Sequence, residues 1–147
     1  MIMLLSSDYQ ILIQLIQRKI WPDSSIGTKN AIDQDLIQQD KNIVRLLSGY
    51  SADEWTRLFK AAARQGLLAI AWDAVEKLQA EHGSLCRGLS RETKIRWALS
   101  IKHIEEVHLR QREALKELAG IFAESGMRVM VLKGLGLAEM YPRPEHR

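Results

Sequence analysis

The residues with the clearest chemical potential stand together near the C-terminus, in the stretch GMRVMVLKGLGLAEMYPRPEHR. The short, β-branched run Met127–Leu132 predicts a buried strand that ends at Lys133. Gly134 then allows a sharp turn and a close approach of the backbone to a ligand. A helix that begins directly after Gly134 would direct free N–H groups and a positive dipole end to the same place. Strand, glycine turn and helix N-terminus together are typical of an anion site, most often for phosphate.

A purely structural interpretation accounts for the same residues. In it, Lys133 is a charged residue at the end of a strand and Gly134 is a turn residue. The third glycine of a dinucleotide site is absent, and so is the G-K-[ST] sequence of a P-loop. Spacing alone favours this structural interpretation over the phosphate site.

Two histidines further upstream, His103 and His108, superficially resemble a zinc-binding helix motif. That motif needs histidines at i and i+4, whereas these stand at i and i+5, about 140° apart around a helix. Arg96 and His103 also form the R-x6-H spacing that resembles a pattern of some small helical ribonucleases. Trp97 follows the arginine where those enzymes prefer a small polar residue, so we interpret both pairs as ordinary helix residues.

One pair of carboxylates and the single thiol are two further candidates for chemistry. We interpret both as structural features of the fold. Asp33 and Asp35 form a literal D-x-D, but on a helix their side chains diverge by about 200°. A solvated helix start explains them better than a metal site. No His–Asp partner pattern surrounds Cys86, which we interpret as a half-buried small residue rather than a nucleophile.

The elements that must position these residues are helices. Ser51 and Glu54 form a capping box that opens a helix, Gly66 is its stop, Ser90 caps the longest helix and Gly126 ends it. Trp55, Trp72 and Trp97 lie on apolar helix stripes and are expected in the core. Apolar residues at helical spacing predict helices over residues 8–20, 30–48, 51–64, 67–80 and 91–124.

Composition narrows the class of protein. Of 147 residues, 46% are hydrophobic and 27% are charged, which is typical of a folded globular chain. The net charge of +3 is too small and too mixed to indicate a nucleic-acid surface. No apolar run reaches the roughly 18 residues of a membrane span. The single cysteine excludes an internal disulfide and most cysteine-based zinc sites, so a cytoplasmic location is expected.

The predicted fold class is mainly α. A helical domain of four to five helices, one of them long, is expected over residues 1–125. Residues 126–147 then begin an α/β domain with a single strand and a short helix. Because one strand cannot form a sheet, this second domain is expected to be truncated.

The C-terminal pattern resembles the start of the catalytic domain of a family of uncharacterised nucleotidyltransferases in the DNA polymerase β-like superfamily. The matching residues there are Gly126, Leu132, Lys133, Gly134, Leu137, Ala138, Glu139, Tyr141, Pro142, Pro144 and Arg147. The upstream W-x-x-L-x-x-x-A-x-x-x-G pattern of that family is similar to Trp55, Leu58, Ala62 and Gly66.

The resemblance implies a function for the complete parent protein, which is metal-dependent transfer of a nucleotidyl group from a nucleoside triphosphate to an acceptor. The resemblance does not identify that acceptor. It implies that Lys133 and Gly134 bind nucleotide phosphate and that Arg147 lies on the substrate side. In the family, the D-x-D pair that binds Mg²⁺ follows the position of Arg147. This chain therefore carries no implied catalytic residue or metal ligand, and we expect it to be inactive and without cofactor by itself.

An alternative from another class of protein stays open. The chain would then be a non-catalytic helical interaction module that forms a homodimer through its lone strand, Met127–Leu132. An unpaired apolar strand is a ready edge for a second copy.

Overall fold

The computed structural model describes residues 7–20 and 29–147. The chain is mainly helical there, which confirms the predicted class. The elements are α1 (Ser7–Ile20), α2 (Lys29–Ser48), α3 (Ala52–Arg64), α4 (Leu68–His82), α5 (Arg91–Glu124), the single turn α6 (Leu135–Ala138) and a 3₁₀ turn (Pro144–His146). None of the helices in these two ranges is long and apolar enough to cross a membrane.

The chain divides into two compact units, and the boundary falls within α5. The first unit runs to Trp97 and the second is Ala98–Arg147. The predicted domain boundary after residue 125 is a different division, based on the change of pattern at Gly126, and it stays a prediction.

Local hydrogen bonds fix both ends of α3 in the first unit. The backbone N–H of Ser51 donates to the Glu54 carboxylate at 2.8 Å, and the Glu54 N–H donates back to the Ser51 hydroxyl. At the other end Gly66 has a φ of +66°, and the Leu67 N–H donates to the Ala62 carbonyl at 3.0 Å. The predicted capping box and glycine stop are therefore confirmed.

A cluster of aromatic rings forms the core of the first unit. Trp55 and Trp97 have no exposed surface, as predicted, and Trp72 is half-buried. The Trp97 ring lies 5.5 Å from Phe59 and 5.0 Å from Trp72, between ring centroids. Its indole Nε1 donates to the Leu68 carbonyl at 2.9 Å, so the polar atom of this buried ring is satisfied.

The second unit begins with the rest of α5, which ends where the sequence predicts. Gly126 has a φ of +72°, and the N–H groups of Gly126 and Met127 donate to the Ala123 and Phe122 carbonyls, each at 2.9 Å. This is the same glycine-terminated helix end as in α3.

The predicted strand Met127–Leu132 is wrong. Within residues 7–20 and 29–147 no strand is present, and residues 127–132 are an irregular segment. Met130 and Leu132 are 80% and 75% exposed, so the segment is not buried either. The residue types favour a strand, but a strand exists only when a neighbour completes its hydrogen bonds, and no described residue does so here.

Candidate functional site

The turn after this segment depends on two glycines for different reasons. Gly134 has φ +60° and ψ −113°, a conformation that residues with a Cβ rarely adopt. Around Gly134 there is open space for a Cβ, whereas at Gly136 a Cβ would collide with the carbonyl oxygen of Val131. The sequence predicts the turn at Gly134. It gives no sign that the backbone at Gly136 lies close to the Val131 carbonyl.

The helix after Gly134 is present, but it is only the four residues of α6. Four aligned peptide units make a much smaller dipole than a long helix. Any anion site at this turn therefore depends on side chains more than on the helix N-terminus that the sequence suggested.

Arg147 supplies such a side chain. Its guanidinium Nη1 donates to the Gly134 carbonyl at 3.2 Å, and its Cζ lies 5.8 Å from the centre of the Tyr141 ring. The structure thus brings together two of the three sequence-predicted site residues. Because a guanidinium has five N–H donors and Arg147 is exposed, donors remain for a ligand.

The residue before Arg147 is held on α5. His146 is 4% exposed, and its Nε2 lies 2.9 Å from the Glu105 carboxylate Oε1. This contact fixes the 3₁₀ turn at Pro144–His146 and with it the position at which Arg147 begins. This pair could not be predicted from the sequence, because 41 residues separate its members and no periodic pattern connects them.

These contacts border an open cleft of about 240 Å³ within the second unit. Gly134 and Arg147 line it on one side, and His103 and His108 line it from α5. Gln111 and apolar side chains of α5 and α6 complete the lining, which contains no carboxylate. Lys133 is exposed next to the turn but is not part of this lining.

The charge of the lining suits an anion and not a metal ion. Mg²⁺ prefers carboxylate and other oxygen ligands, and the cleft offers nitrogen donors instead. In the part of the chain that the structure describes, no group of three or more His, Cys, Asp or Glu residues could hold a metal ion. The backbone of Asp33 and Asp35 is in α2, as expected, but their side chains lie outside the described part of the chain.

Cys86 and Arg96, in the first unit, have local explanations. Cys86 is half-buried, as predicted, and burial raises the pKa of its thiol above the ordinary 9.0. The thiol is therefore protonated at neutral pH and a poor nucleophile. Arg96 donates to the Glu92 carboxylate at 2.7 Å, one helical turn away.

Comparison with known families places the chain in one of them. The family model described as an uncharacterised nucleotidyltransferase matches residues 51–147, well over half of the chain. The chain belongs to this nucleotidyltransferase family, and the match includes the Gly134 turn, Arg147 and both histidines of the cleft. No curated protein and no solved structure matches the chain.

Proposed function

We propose that this chain binds the phosphate groups of a nucleoside triphosphate and thereby contributes to nucleotidyl transfer in the protein of which it is part. One observation supports this most directly. The Arg147 guanidinium is held against the Gly134 turn at the edge of a cleft whose lining has no Asp or Glu side chain. Arginine forms short, charge-assisted hydrogen bonds with phosphate oxygens, and a fixed guanidinium loses little entropy when it binds.

Each proposed residue has a distinct role in binding. Arg147 donates hydrogen bonds to phosphate oxygens, while the Gly134 carbonyl and the Tyr141 ring hold its guanidinium in place. Gly134 gives the backbone the turn that this arrangement needs. Lys133 lies outside the cleft lining, so it would add positive charge to a phosphate that extends beyond the cleft.

The Mg²⁺ that the family resemblance implies does not fit the residues described here, which offer no carboxylate cluster. We therefore derive no catalytic step through a metal. We propose that the metal-binding carboxylates belong to sequence outside residues 1–147. In this proposal the chain binds a nucleoside triphosphate but does not turn it over by itself.

Isothermal titration calorimetry with ATP on the full chain tests the binding. We expect Arg147→Ala to weaken ATP binding about tenfold or more, because it removes charge-assisted hydrogen bonds worth about 1.5–3 kcal/mol. Arg128→Ala is the matched control, because Arg128 is an exposed arginine of the same unit that does not line the cleft. We expect it to change ATP affinity less than twofold.

Two results would contradict the proposal. One is that the wild-type chain does not bind ATP. The other is that both arginine variants weaken binding equally, which would indicate attraction by net charge alone. A pyrophosphate-release assay with Mg²⁺ and ATP tests the second part, and we expect no turnover above the protein-free rate. Turnover by this chain would show that its own residues suffice for catalysis.

A second candidate function is supported by the exposed apolar segment Met127–Leu132. Met130 and Leu132 are unusually exposed for large apolar side chains. We propose that two copies pair through this segment, each supplying the strand neighbour that the other lacks. Light scattering across a concentration series tests this pairing. Met130→Lys is the disrupting variant, and Met140→Lys is the control, because Met140 is equally exposed at 80%. A wild-type chain that stays monomeric at high concentration would exclude this pairing.

A further inference from the structure

His108 is an unusual residue in the wall of the cleft. It is only 9% exposed, and it lines the cleft from α5. Within the described part of the chain, its imidazole has no hydrogen bond or ion pair with another side chain or with the backbone. The ring nitrogens of His108 are accessible from the cleft and not sealed in the interior, so they are available to hydrogen-bond a ligand there.

His103 lines the same cleft and is exposed. Its position five residues before His108 puts the two rings about 140° apart around the helix, and His103 is exposed whereas His108 is buried. This spacing prevents the two imidazoles from holding one metal ion as an i,i+4 pair does. It leaves two separate hydrogen-bonding groups for a ligand with several acceptor atoms.

We propose that His108 and His103 form the α5 side of a phosphate subsite, opposite Gly134 and Arg147. The subsite takes two linked phosphates, either the terminal pair of a nucleoside triphosphate or free pyrophosphate. The inference rests on the proposed nucleotide binding and goes beyond it. It adds a recognition surface on α5, whose two histidines look like ordinary helix residues in the sequence.

The lining fits this ligand in charge and size. Arg147, the two imidazoles and the Gln111 amide all offer N–H donors, and the lining contains no Asp or Glu side chain that would repel a phosphate. The cleft volume of about 240 Å³ is many times the roughly 10–15 Å³ that one water molecule needs. It therefore has room for a ligand of several heavy atoms.

The test uses calorimetric titration of the full chain with three probes: sodium pyrophosphate, ATP and AMP. The variants are His108→Leu and His103→Leu, which remove the imidazole and leave no side-chain N–H donor in its place. His82→Leu is the matched control, because His82 is exposed at the end of α4 in the first unit. We expect His108→Leu to weaken both pyrophosphate and ATP binding about tenfold, and His103→Leu about threefold. His82→Leu should leave both affinities unchanged, and AMP should bind weakly to every variant.

The outcomes separate this inference from the proposed function. If the wild type binds neither ATP nor pyrophosphate, the proposed function fails. If ATP binding depends on Arg147 but neither histidine variant changes it, only the histidine subsite is excluded. A variant that loses ATP but keeps pyrophosphate would also overturn the subsite, because the histidines would then contact the base or the ribose. His103 is exposed, so its variant gives a result even if His108→Leu unfolds the chain.

Discussion

The two units of this chain differ in what they bury. The first unit buries large apolar side chains, among them Trp55 and Trp97, with no surface left exposed. The second unit buries few residues, and two of these, His108 and His146, are histidines. It also leaves Met130, Leu132 and Met140 at least 75% exposed, although each is a large apolar side chain.

The difference indicates that the two units are stabilised in different ways. Apolar burial contributes most of the free energy of folding, and the first unit has it. The second unit is held instead by particular contacts, such as Glu105 with His146 and Arg147 with Gly134. A region with few buried apolar contacts opens at lower free energy, which is common where ligands bind.

The strongest test of this comparison removes a buried ring. We expect Trp97→Ala to lower the free energy of unfolding by about 3–5 kcal/mol, because it leaves a cavity and frees the Leu68 carbonyl. Leu99→Ala, two residues along the same helix, should cost about 0.5 kcal/mol or less, because Leu99 is 62% exposed. Urea unfolding followed by far-UV circular dichroism measures both. Similar losses from the two variants would mean that the contrast in burial does not determine stability.

A smaller effect is expected from two glycines that both lie in the second unit. We expect Gly136→Ala to cost about 1–3 kcal/mol, because its Cβ would collide with the Val131 carbonyl. Gly120→Ala should stabilise the chain by up to about 1 kcal/mol, because Gly120 lies inside α5 with open space around it. Thermal melting of both variants compares them. A neutral Gly136→Ala would show that the segment before the turn moves freely.

The smallest effect is expected at the capping box of α3. Ser51→Ala should lower the free energy of unfolding by about 1 kcal/mol, because it removes the cap of the Glu54 N–H. Two hydrogen bonds from Ser51 lower the pKa of Glu54 below its ordinary 4.5. The bond from the Ser51 N–H has the larger effect, and the bond from the Ser51 hydroxyl has the smaller one. The stability that they add is therefore present above about pH 4.5 and lost as the pH falls through the lowered pKa.

A series of unfolding curves between pH 3 and pH 6 checks this dependence. Glu54→Gln should remove the part of the acid loss that belongs to this carboxylate, since the amide does not titrate. If the wild type and Glu54→Gln lose stability in parallel over that interval, the capping box does not couple to pH.

Helices and their ends could be predicted from the sequence because their causes are local. The capping box of Ser51 with Glu54 spans four residues, and Gly66 and Gly126 end their helices through bonds to neighbours within one turn or two. The burial of Trp55 and Trp97 follows from their place on apolar helix stripes. The prediction of a strand at Met127–Leu132 failed for the opposite reason. A strand depends on a partner segment, and local residue types do not specify whether that partner is present.

The sequence by itself determined the helices, the aromatic core and the glycine turn. Only the tertiary structure decided that Arg147 donates to Gly134 while Lys133 lies outside the cleft. It also decided that Glu105 pairs with His146 and that His108 faces the cleft. The physical reason is distance along the chain: periodicity and capping act within a few residues, whereas a cleft joins side chains that only the folded backbone brings together.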